Sequence, residues 1–267
     1  MDCTRVPLQV ATRAPTGRTA AYCLGTDEAL LVDPAAGSDA LDDVLADRTV
    51  AHVALTHHHP DHAGAVAHYA ETHDATVWCR YGRRADFEAA TGIAPDRTFV
   101  DGTTIPTAGR DVTVIDLPGH APEHVGFRFA DGETGAAPGD GYLVGDLAVA
   151  AGSVVVGAPE GDMRAYVSSL RRLWARDPDT LYPAHGPVID DPRGACSRLI
   201  DHRRDREGRV RDAVHGGART VAEITDAAYE KDLSGVRDMA EATVVAHLEK
   251  LSVEGRVRWD GAEAAPG

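Results

Sequence analysis

Val50-Ala51-His52-Val53-Ala54-Leu55 runs straight into Thr56-His57-His58-His59-Pro60-Asp61-His62, and this junction decides the fold. The first six residues read as a strand. The next seven hold four histidines and one aspartate, three of the histidines and the aspartate standing at H-x-H-x-D-H spacing in the loop behind it. Imidazole nitrogen and carboxylate oxygen are the donors that zinc, iron and similar cations take. In extended backbone, residues two apart point to the same side, so His57 and His59 can grip one ion together. Asp61 and His62 lie on the next bend, within reach of a second ion. His58 points away from its neighbours and is read as a wall of the pocket. An affinity tag would be terminal and would not contain Pro-Asp.

Working outward from the cluster, strands and helices alternate, as in a layered α/β architecture. Thr19–Leu24 and Ala29–Val32 read as strands. Ser38 precedes a helix carrying Leu41, Val44 and Leu45 on one face. Residues 63–72 form a helix with Val66, Tyr69 and Ala70 inward. Strands follow at 77–79, 111–117, 125–129 and 142–144, the last two around a Gly-rich, acidic loop at 131–141. Met163–Arg176 is a helix with Tyr166, Val167, Leu170 and Trp174 at helical spacing. Three more candidates stand where strands give way to loops: His120 in Leu117-Pro118-Gly119-His120, Asp146 after Tyr142-Leu143-Val144-Gly145, and His185 in Tyr182-Pro183-Ala184-His185. Strand ends are where α/β sheets collect their sites.

The ordered set of His57, His59, Asp61 and His62, then His120, Asp146 and His185, resembles the metallo-β-lactamase-fold hydrolases over roughly residues 5–190. The resemblance implies an α/β fold of αββα sandwich type with two metal ions at one sheet edge. His57, His59 and His120 would hold the first metal, and Asp61, His62 and His185 the second, with Asp146 bridging both. Asp33, in Leu31-Val32-Asp33-Pro34, matches the early aspartate that organises such a site from behind; Ala35 stands where the family more often has glycine. Two divalent cations about 3.5–4 Å apart share a bridging hydroxide that attacks substrate, and Asp61 would orient it as the catalytic residue. Zinc is the default expectation, with iron or manganese compatible with the donors.

The chain changes character near residue 192. Residues 1–192 carry 28 acids and 14 bases, whereas 193–260 carry 13 of each. Arg193–His215 reads as a long charged helix stopped by Gly216-Gly217. Thr220 caps the next helix, with Glu223 at the capping-box position. A third spans roughly 237–252 with Val244, Leu248 and Leu251 on one face, and Arg256–Trp259 follows as a short strand. This is a winged-helix pattern, and it resembles the C-terminal extension of the lactamase-beta-like subgroup. The expected organisation is therefore a catalytic domain at 1–192, a winged-helix domain at 193–260 and a disordered tail at 261–267.

The net charge of −15 argues against unspecific nucleic-acid binding by the whole chain. Only Lys231 and Lys250 are lysines among 27 basic residues; an acidic, lysine-poor chain suits a salt-rich cell interior, and a GC-rich genome, which favours Arg, Ala, Gly and Asp codons, is the alternative reading. The four cysteines lack any C-x-x-C spacing, no signal peptide is visible, and no apolar run reaches membrane length, so a cytoplasmic location is expected. Three readings compete, the first two of them implied by the resemblance. The leading one is a binuclear metal hydrolase of small ester or thioester substrates, similar to hydroxyacylglutathione hydrolases. The second is an endoribonuclease on single-stranded RNA, for which six arginines and three acids within 198–211 are the feature to weigh. Against it stand Glu241 and Glu249 on the third helix and the lack of an aromatic stacking platform. The third is a winged-helix regulator that only senses a ligand. The tail could equally serve as a lid, a pocket wall or a homodimer contact.

Overall fold

The computed structural model describes residues 2–108, 111–131 and 139–267. Residues 132–138 of the loop read at 131–141 lie outside the described residues. The chain divides into two compact units. The first comprises Met1–Asp116, Glu123–Ala151 and Asp177–Pro192.

Six strands form its first sheet, in spatial order β1 (Cys3–Gln9), β2 (Arg18–Leu24), β3 (Ala29–Val32), β4 (Val50–Ala54), β5 (Thr76–Arg80) and β6 (Arg97–Phe99). The pairs β1–β2 and β2–β3 are antiparallel, and β3 through β6 run parallel. Parallel steps need crossovers. These are supplied by α1 (Asp39–Leu45), by α2 (Pro60–Ala63) with α3 (Val66–His73), and by α4 (Arg84–Thr91). Ser38 caps α1 by accepting from Leu41 N, as its position implies. The second sheet has the order β11 (Thr180–Pro183), β10 (Gly139–Gly145), β9 (Val125–Asp131), β8 (Val112–Asp116) and β7 (Thr104–Ile105). Only its β10–β11 pair is parallel.

Both faces of the first sheet are buried, so its strands read as nearly continuous apolar runs. Odd positions Ala21, Cys23, Leu31, Val53 and Val77 pack with Leu41, Leu45, Val66, Tyr69 and Phe87 of the helices. Even positions Tyr22, Leu30, Val32, Ala54 and Trp78 pack with Val114, Phe127, Phe129 and Leu143 of the other sheet. The sequence reading did not anticipate β1, β6 or β7, which are short or interrupted by polar residues.

The second unit comprises Leu117–Pro122, Gly152–Arg176 and Arg193–Gly267. It thus takes in two segments that the sequence reading assigned to the first domain. Its helices are α5 (Met163–Arg176), α6 (Pro192–His215), α7 (Val221–Ala228) and α8 (Arg237–Val253). Thr220 and Glu223 form the full capping box on α7. Val210, Val214, Ile224, Val244, Leu248, Leu251 and Val257 make a separate core. Two expectations are corrected here. Trp174 is not part of the inner face of α5: it is 41% exposed, with the Arg193 guanidinium 4.3 Å above its ring. Tyr166, Val167 and Leu170 are buried as read, and Leu173 is buried where Trp174 was expected. The tail at 261–267 is not disordered throughout. β13 (Ala264–Pro266) pairs with β12 (Val257–Trp259), because Ala264 is buried and its N–H donates to Arg219 O at 2.8 Å.

Replacing Thr220 with Ala removes the capping oxygen and is expected to lower stability by about 1 kcal/mol. Phe127→Ala opens the core between the sheets and is expected to cost about 3–5 kcal/mol. Urea unfolding of the two variants beside the wild type checks both the values and their order.

Candidate metal centre

Parallel strands deliver the chemistry to one place. β3 and β4 lie side by side, with Val32 opposite Ala54; Asp33 follows one and Thr56-His57 the other. β10 and β11 deliver Asp146 and His185 in the same manner. Backbone bonds tie these strand ends together. Val125 N donates to Thr56 O at 2.9 Å, Ala184 N to Gly145 O at 3.1 Å, and Ala20 N to Ala184 O at 2.8 Å.

Asp33 has no exposed surface and a left-handed φ of 52°. Its carboxylate accepts from Thr56 N at 2.7 Å, from Thr56 Oγ1 at 2.8 Å and from His62 Nδ1 at 3.0 Å. The last bond fixes the imidazole tautomer and leaves Nε2 as the donor atom. His62 Nε2 is buried, makes no hydrogen bond, and faces Asp146 Oδ1 at 3.6 Å. His185 is built on the same plan. Its Nδ1 donates to Arg18 O at 2.8 Å, and its Nε2 lies 3.3 Å from Asp146 Oδ1 and 3.8 Å from Asp61 Oδ2. His57 Nε2 and His59 Nδ1 are 2.9 Å apart.

Two donor groups result within the first unit. His57, His62 and Asp146 bring ligand atoms within 4.8 Å of one another, and so do Asp61, His62 and His185. His62 belongs to both. An all-nitrogen-and-oxygen donor set, with a buried ring nitrogen that lacks a partner, fits a cation at each group. His120 belongs to the second unit, where its Nδ1 donates to Val155 O at 2.7 Å, leaving Nε2 as donor there too.

Protons compete for these nitrogens. Burial pushes His62 down, and Asp33, Asp146 and Asp61 more than reverse that, raising it from 6.5 to about 9. Burial likewise opposes, and Asp146 outweighs, in His185, which is raised.

The surrounding residues refine the sequence reading. His58 turns to Glu123, with Nδ1 3.2 Å from Oε1, as its non-ligand reading requires. His124 Nε2 accepts from Asp146 N at 3.0 Å, so it holds the proposed bridging residue by its backbone. Gly145 has φ 49°, and a Cβ there would meet His124 Nε2 at 2.7 Å and Thr56 Cβ at 2.8 Å. Tyr142 is a core residue. Sequence reasoning missed Thr12, whose hydroxyl donates to Asp61 Oδ2 at 2.5 Å. It lies far along the chain in a polar loop that carries no motif.

The chain belongs to the metallo-beta-lactamase superfamily, whose family model matches residues 15–185. A beta-lactamase associated winged helix domain matches residues 220–264. The protein is accordingly a hydrolase of that superfamily, with an α/β sandwich of two mixed sheets followed by a helical winged-helix region. It is 34% identical over 188 residues to a hydroxyacylglutathione hydrolase of Cereibacter sphaeroides, covering 66% of this chain and 68% of that one. It is 29% identical over 264 residues to an atrochrysone carboxyl ACP thioesterase of Paecilomyces divaricatus, covering 90% of this chain and 76% of the other. Among solved structures, a metallo-beta-lactamase family protein from Thermus thermophilus shares the fold at a TM-score of 0.77 and 24% identity, covering 99% of this chain and 98% of that one.

Asp33→Asn keeps the shape of the side chain and removes the charge that steers His62. Metal affinity is expected to fall about 10–100-fold, measured as metal per chain after dialysis against graded chelator. A pH series on chelated protein tests the electrostatics. The His62 value is raised above 6.5 to about 9, so its stabilising contribution is full below pH 6.5 and is lost as pH rises through 9. The thermal midpoint of the chelated wild type should fall across that window, and Asp33→Asn should flatten the fall.

Proposed function

We propose that the protein is a binuclear metal-dependent hydrolase of thioesters. The observation that carries this reading is His62 Nε2, buried, without a hydrogen bond and shared by both donor groups. In this reading His57, His59 and His120 hold one ion, Asp61, His62 and His185 the other, and Asp146 bridges. Two such ions would make a shared water acidic enough to ionise near neutral pH and would polarise the scissile carbonyl. The chain's own residues do the rest. Asp33 and Arg18 O fix the tautomers of His62 and His185. Thr12 pins Asp61, which orients the nucleophile. His124 fixes Asp146 through its backbone N–H. Both named relatives act on thioesters by their own descriptions, which favours a thioester over a simple ester.

The test is hydrolysis of a panel of acyl thioesters by metal-loaded protein, beside a labelled single-stranded RNA, with Asp61→Ala as control. Thioester turnover that drops at least about 100-fold in Asp61→Ala is the expected result. RNA cleavage with no thioester turnover would replace this reading with the endoribonuclease one. Metal analysis of the active protein decides between zinc, iron and manganese.

A further inference from the structure

The sheet edge that starts the histidine loop also carries a cleft. β4, β5 and β6 run parallel, so their C-terminal ends lie together, where α/β sheets take ligands. The cleft there encloses about 250 Å3, part of it open to solvent. Leu55 follows β4, Cys79 stands near the end of β5, Phe99 closes β6, and Phe87 comes from α4. All four are buried and line the cleft. Burial raises the Cys79 thiol, which stays protonated and packs as a small apolar group. His57 and His58 form part of the wall. His57 is a candidate metal ligand, so the cleft and the metal centre share a side chain.

The charges in the lining are answered from within the chain. Arg80 forks onto Asp116, with Nη2 2.7 Å from Oδ2. Glu123 accepts from His58 N at 3.4 Å and lies 3.2 Å from His58 Nδ1. Arg83 Nη1 donates to Asp86 Oδ2 at 3.2 Å. An ionic occupant would have to break one of these pairs or stay buried without a counter-charge, which is costly. An apolar occupant leaves them intact and gains about fourfold in affinity per buried methylene. Tyr81 and Val100, 71% and 50% exposed, follow Arg80 and Phe99, and Tyr81 N donates to Phe99 O at 2.9 Å. Apolar side chains thus stand at these strand ends outside as well as inside.

We propose that this cleft is the acyl pocket of the enzyme and takes a short, uncharged hydrocarbon chain. The proposal rests on the thioester reading and names the acyl group that it leaves open. The thioester carbonyl would lie at the metal centre. The chain would pass His58 onto the floor made by Leu55, Cys79, Phe87 and Phe99. The enclosed volume is below the about 300–1,000 Å3 of drug-sized sites, so the chain is short. A carboxylate at its end would meet Glu123 in the lining and be rejected.

The experiment gives the metal-loaded protein the acetyl, butyryl, hexanoyl and succinyl thioesters of N-acetylcysteamine. From acetyl to hexanoyl, kcat/KM is expected to rise at least about tenfold. From butyryl to succinyl, its carboxylate-ended counterpart, kcat/KM is expected to fall at least about tenfold. Cys79→Leu fills the floor and is expected to lower the hexanoyl-to-acetyl ratio at least about tenfold. Overpacking has its own stability cost, so a second measurement uses the wild type alone. Methyl methanethiosulfonate labels the protein with and without S-hexyl-N-acetylcysteamine, a thioether that cannot be hydrolysed, and peptide mass spectrometry reads each cysteine. The thioether is expected to slow labelling of Cys79 at least about tenfold, leaving Cys23 and Cys196, buried elsewhere, within about twofold. A hexanoyl-to-acetyl ratio equal in wild type and variant, or succinyl preferred over butyryl, overturns the proposal. Cys79 labelled equally fast with and without the thioether also overturns it. Protection of Cys79 without turnover of any thioester upholds the apolar cleft, and the thioester reading is then what fails.

Discussion

Asp33 leaves β3 with a left-handed backbone and no contact with water, and three donors converge on its carboxylate there. A buried carboxylate with hydrogen bonds satisfied is tolerable; one left unpaired is strongly destabilising. The dependence runs outward from this residue. Thr56 is held by both its N–H and its hydroxyl, so the start of the histidine loop is fixed where β4 ends. His62 is turned so that its other nitrogen enters the centre. Asp146 and His185 join the candidate set from strand ends tied together by backbone bonds, with His124 holding the Asp146 backbone N–H.

The first sheet fixes where this edge lies. Its strands pack on both faces, with alternate residues feeding two separate cores. A shift of register by one residue would exchange the two sets and strand every bulky side chain. Gly145 shows how close the packing is at that edge. It holds a conformation and an approach to Thr56 and His124 that only a residue without a side chain accepts.

Much of this was legible before any coordinates. The His57–His62 cluster, the strand-end positions of Asp146 and His185, the Thr220–Glu223 capping box and the outline of α8 are local patterns, and local patterns survive in the sequence. Thr12 was not legible, because its partner Asp61 is brought to it only by folding. The strand at 264–266 escaped because its composition is that of a tail, and its order comes from a neighbouring edge and from Arg219 O. Trp174 was misplaced because one residue along a helix is a turn of about 100°, enough to move a ring from the interior to the surface.

The segment Gly152–Ala158 carries a meaning for how such proteins can be recombined. Its carbonyl oxygens serve His120, Arg198 and Arg203, and Ala158 N donates to Ala242 O at 3.1 Å on α8. A cut after Pro192 would keep every candidate metal ligand in the encoded chain. It would remove Arg198, Arg203 and Ala242, and with them the support of the backbone that aims one ligand. The helical extension thus braces a stretch of backbone that lies between two candidate ligands in the sequence.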